Sequence, residues 1–70
     1  MNEHYFLYEI NRANEYIVDT YNIFNVFGLT HNLEYFNRCM DNIMEVNRIL
    51  ERVKRELNLK LEEKKHEQLQ

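Results

Sequence analysis

The sequence predicts an all-α fold, a two-helix antiparallel hairpin with its turn at Gly28-Leu29-Thr30, assembling as a dimeric four-helix bundle or coiled coil. Three observations predict it. Apolar residues recur at alternating steps of three and four in two long segments, Gly28 is the only glycine and lies between them, and the 70 residues contain no proline. The expected organisation is a single domain over 1–70, with one helix over about 2–27, a second over about 31–64, and a frayed polar tail to 70. A chain this short buries a marginal core. Cys39 is its only cysteine, so no internal disulfide can help, and oligomerisation or regular helix packing must.

In the first segment Phe6, Ile10, Ala13, Ile17, Thr20, Phe24 and Phe27 form one heptad-like stripe, which fits a helix and not a strand. Tyr5, Tyr8, Tyr16 and Tyr21 lie off that stripe, together with Leu7, Val18, Ile23 and Val26. A helix apolar on more than one face needs more than one neighbour, which in a two-helix chain means a second copy or a foreign partner. Gly28 fits the left-handed residue that ends such a helix, with Leu29 folding back on Phe24 and the Thr30 hydroxyl capping the next helix. A connection this short makes antiparallel neighbours, although an extended swapped dimer opened at Gly28 stays an alternative.

The second segment carries Phe36, Ile43, Leu50 and Leu57 at one heptad position and Cys39, Val46 and Val53 at another. At ~1.5 Å per residue the first helix spans about 39 Å and reaches the second only to about residue 55. Leu57 and Leu61 are therefore expected to need another chain. The core or oligomer interface is expected from Phe6, Ile10, Ile17, Phe24, Phe27, Phe36, Ile43, Leu50, Val53 and Leu57. Partner binding is expected from Tyr5, Tyr8, Tyr16, Tyr21 and Leu61. Asn14 or Asn47 near the seam would set register, as asparagines do in coiled coils.

Few chemistries survive the composition. His4, His31 and His66 are far apart and lack the neighbours of a readable zinc site, so no metal or cofactor is expected. His31 is expected in the first turn of the second helix, and Cys39 reads as a small buried hydrophobe. No glycine-rich loop exists to hold phosphates. The bases Arg48, Arg52, Lys54, Arg55, Lys60, Lys64 and Lys65 are interleaved with Glu51, Glu56, Glu62 and Glu63, and the net charge is −3, which argues against nucleic acid. That net charge falls within residues 1–28, while the acids and bases of 29–70 balance. No apolar run reaches the ~20 residues a membrane span requires. Together with the lone cysteine and an amino terminus lacking a basic start, this points to the cytoplasm. Abundant Asn, Ile, Tyr and Phe beside a single alanine, Ala13, match the codon bias of an AT-rich genome.

Asn37-Arg38-Cys39-Met40-Asp41, following the turn Gly28-Leu29-Thr30-His31, resembles the small helical-hairpin aspartyl-phosphate phosphatases that regulate sporulation, whose second helix bears a Ser-Gln-x-Leu-Asp signature. Asp41 matches that signature and Met40 matches it conservatively, while Asn37 and Arg38 stand where serine and glutamine belong, and the spacing from the glycine is one residue short. The resemblance implies an enzyme acting on a response regulator, with Asp41 as its catalytic residue. The residues themselves favour a non-catalytic protein–protein interaction module, a small homo-oligomeric regulator or inhibitor of a larger protein. A nucleic-acid-binding accessory role is the remaining alternative.

Overall fold

A computed structural model describes residues 3–69, with side chains described through Lys65. Two helices, α1 (Glu3–Thr30) and α2 (Leu33–Leu69), pack antiparallel as a hairpin. The expected start at Asn2 and end at Gln70 lie outside the described residues. The second helix does not stop near residue 64 but continues to Leu69, because nothing in Glu62–Leu69 breaks a helix.

The turn lies later than the glycine. α1 runs through Gly28 to Thr30, and the left-handed residue is His31, at φ 56°. His31 N–H donates to the Phe27 carbonyl at 2.7 Å, the single closing bond of an αL ending, and the His31 ring stands 6.3 Å from that of Phe27. Histidine tolerates this conformation better than most residues with a Cβ, so the aromatic contact decides against glycine. Leu29 accordingly does not fold back on Phe24 and stays 85% exposed. Thr30 does not cap α2 either: its hydroxyl donates to the Val26 carbonyl at 3.0 Å and accepts from Asn32 N–H, ahead of the helix, at 3.3 Å. The cap is Asn32, whose Oδ1 accepts from Glu34 N–H at 3.0 Å.

Heptad letters make the packing plain. Assigning a to Phe6, Ala13, Thr20 and Phe27 makes Glu9, Tyr16 and Ile23 the d residues of α1. In α2, Cys39, Val46 and Val53 are a, and Tyr35, Asn42, Ile49 and Glu56 are d. Every described residue that is buried or half-buried falls at a, d or g. Ala13, Val46, Ile49 and Val53 form the centre of the core, with Phe6 and Tyr16 packed against it. Thr20 fits this apolar seam because its hydroxyl bonds the Tyr16 carbonyl at 2.7 Å.

The stripe Phe36, Ile43, Leu50 and Leu57 is therefore not the seam. It occupies e, as do Ile10, Ile17 and Phe24, and all seven remain 39–52% exposed. The true d row of α2 escaped the pattern because Asn42 and Glu56 interrupt its apolar character.

Candidate functional site: a charge-free flank beside the seam

Five cross-helix contacts fix the register. The Phe27 and Phe36 rings lie 5.6 Å apart, the Cys39 thiol donates to the Thr20 carbonyl at 3.6 Å, and Asn42 Nδ2 donates to Asp19 Oδ2 at 3.1 Å. Arg52 donates to Glu9 Oε2 at 3.4 Å, and Lys60 Nζ stands 5.7 Å from the Phe6 ring centroid. Interpolating between these pairs sets Phe24 level with Phe36, Ile17 with Ile43, and Ile10 with Leu50.

The two sides of the seam then differ in kind. On the g side, Glu9 is 2% exposed and accepts from Arg12 at 3.2 Å as well as from Arg52. That bond from Glu9 is the main cause raising the Arg12 pKa above its ordinary value. Arg48 pairs with Glu45 on the same side. On the e side, the register lines up seven apolar residues, and e, b and f positions carry no charged residue between Tyr5 and Leu50. Every charged residue in that span lies at c or g, except Glu9 at d.

The flank is concave at its turn end. Thr20, Phe24, Phe36, Cys39, Met40, Ile43 and Met44 line a groove of about 380 Å³. At the opposite end Leu57 and Leu61 are not out of reach of α1, since they share a second groove with Glu3, Phe6, Lys60 and Lys64. They are nonetheless 43% and 58% exposed, so α1 reaches them without covering them.

Comparison with protein families, with curated proteins and with solved structures finds no match. The site is accordingly read from its own geometry. Tyr8 and Tyr21 are 62% and 70% exposed, Tyr5 is half-buried, and Tyr16, expected at a partner surface, packs on the core instead because it occupies d. Asn14 and Asn47 are exposed on the flank and not at the hairpin seam, where Glu9 with Arg52 and Asp19 with Asn42 are polar pairs. Cys39 is 5% exposed. Asp41 is exposed at a c position among the charged side chains and lines neither groove described above. Among the described residues no three His, Cys, Asp or Glu side chains gather as a metal site, and no helix is long and apolar enough to cross a membrane.

Sequence reasoning missed Ile49, Glu9 and the segregation of charge. The last was legible: a helix apolar at a, d and e is the pattern of a bundle member with two neighbours, whereas a two-stranded coiled coil needs only a and d.

Proposed function

We propose that the chain is a non-catalytic protein–protein interaction module, a small cytoplasmic regulator that associates with protein chains, its own copies among them, through the charge-free flank. One observation carries this reading: seven heptad-spaced apolar side chains, 39–52% exposed, lie together on a side of the hairpin that carries no charge between Tyr5 and Leu50. At roughly 40–50% of a side-chain area of 150–250 Å², they expose on the order of 600 Å² per chain, a patch typical of association sites rather than of inert surface. Of the bases in α2, Arg48 and Arg52 face Glu45 and Glu9, which weighs against a nucleic-acid role for that helix.

The test is sedimentation of the whole chain beside an Ile17→Glu, Ile43→Glu double variant. Both sites are about half exposed, so the variant is expected to keep its helical circular dichroism. The wild type is expected to associate at micromolar concentration and the variant to stay monomeric. A wild type that is monomeric at all concentrations, or a variant that associates equally well, defeats the reading.

A further inference from the structure

The flank holds a second heptad pattern inside it. In α2 the b and e residues read Leu33, Phe36, Met40, Ile43, Asn47, Leu50, Lys54, Leu57 and Leu61, at unbroken steps of three and four. In α1 the same positions read Leu7, Ile10, Asn14, Ile17, Tyr21 and Phe24, at the same steps. Each row is a coiled-coil seam with no partner in the chain. Asn47 is the middle residue of the α2 row and Asn14 the third of six in the α1 row, and each row is close to palindromic about its asparagine, except that Lys54 stands opposite Met40 and Phe24 has no counterpart. Leu33 and Leu61, Phe36 and Leu57, and Ile43 and Leu50 are placed symmetrically around Asn47. Leu7 and Tyr21, and Ile10 and Ile17, are placed so around Asn14.

The hairpin register adds an independent condition. The pairs Asp19 with Asn42 and Glu9 with Arg52 set Asn14 level with Asn47. Both palindromes therefore share one centre, and a single two-fold axis crossing the flank there satisfies both rows at once. We infer that the flank is occupied by a second copy, head to tail, with the axis at the level of Asn14 and Asn47. This rests on the interaction reading above and names the partner.

In this arrangement α1 packs on its own copy and α2 on its own copy, every neighbour antiparallel. Ile17 and Ile43 of one chain meet the layer of Ile10 and Leu50 in the other. Leu57 enters the 380 Å³ groove lined by Phe24, Phe36 and Met40. Leu61 reaches Leu33, which is 68% exposed in the lone hairpin. The Leu57–Leu61 end of α2, which α1 reaches without covering, is thereby part of the docking surface. The area agrees: adding Met40, Met44 and Leu61 to the seven stripe residues brings the exposed apolar surface close to the ~800 Å² each partner gives a stable interface. Charge does not oppose the pairing between Tyr5 and Leu50, where the like faces carry none, and beyond Leu50 the one base of the row, Lys54, falls opposite Met40. The asparagines meet at the axis, where an amide can bond its counterpart and any slip leaves it facing a leucine or isoleucine.

Spin labels at Asn58→Cys, in a Cys39→Ala background of the full chain, read the arrangement directly. Eleven residues from the axis on antiparallel helices at ~1.5 Å rise, the two labels are expected about 33 Å apart along the bundle. Asn47→Leu with Asn14→Leu is expected to tighten the dimer while broadening that distance into more than one register. A dimer whose labels lie within about 15 Å, as when the hairpins align in the same direction, overturns the arrangement and leaves the interaction reading intact. A double asparagine variant with one unchanged, narrow distance overturns the role of the asparagines. A wild type that stays monomeric overturns this inference and, by the sedimentation test, the interaction reading with it.

Discussion

On the g side of the seam, Arg12, Asp19, Glu45 and Arg52 are tied to neighbours on the same or the facing helix. On the e side, Ile10, Ile17, Phe24, Phe36, Ile43 and Leu50 lie in register and stay 39–52% exposed, although Phe24 and Phe36 touch the Phe27 ring. The contrast is sharper for the rows themselves. The d row that α2 gives the hairpin is Tyr35, Asn42, Ile49 and Glu56, while the e row it holds outside is Phe36, Ile43, Leu50 and Leu57. A hairpin folding for its own stability alone would bury the second row, which offers more apolar area. Polar pairs such as Glu9 with Arg52 lie along the seam, and the oilier row stays half exposed.

Adjacent residues on the two rows give the largest test. Ile49 is 1% exposed and Leu50 is 43% exposed. Ile49→Ala is expected to cost about 3–4 kcal/mol, as for a well-packed buried aliphatic. Leu50→Ala is expected to cost about 1 kcal/mol in dilute solution, and more as concentration rises, because association adds to the stability of the wild type. Urea unfolding at two protein concentrations measures both. Equal costs at the lower concentration would break the distinction between seam and flank.

The g side is probed through Glu9. Its carboxylate is buried between Arg12 and Arg52, so removing both guanidiniums by Arg12→Ala with Arg52→Ala leaves it without partners and is expected to lower Tm. Glu9→Met removes the charge instead and leaves two arginines that reach solvent, with an expected change within about 1 kcal/mol. Thermal melts of the two variants separate these outcomes. A Glu9→Met protein as unstable as the double arginine variant would show that the pair stabilises the hairpin rather than orienting it.

Helices, antiparallel order and the presence of surplus apolar surface were legible because heptad spacing and missing helix breakers act locally. Which stripe became the seam was not, since Phe36, Ile43, Leu50 and Leu57 look more like a core than the row containing Ile49. The choice depends on pairs such as Glu9 with Arg52, forty-three residues apart, that exist only once a register is set. The turn was misplaced for a related reason: glycine is the usual left-handed residue, yet the contact of Phe27 with His31 moved that role three residues on.

The turn end of the flank gives the smallest effect and tests that displacement. Gly28 lies inside α1 at a b position with φ negative, and a Cβ built there meets nothing within 4 Å. Gly28→Ala therefore only removes backbone freedom from the unfolded chain and improves helix propensity, which is expected to stabilise the protein by about 0.5–1 kcal/mol, a rise of a few degrees in Tm. Were Gly28 the left-handed terminus, the same substitution would be strained and would lower Tm by a similar amount. The sign of one melting shift thus reports where α1 ends.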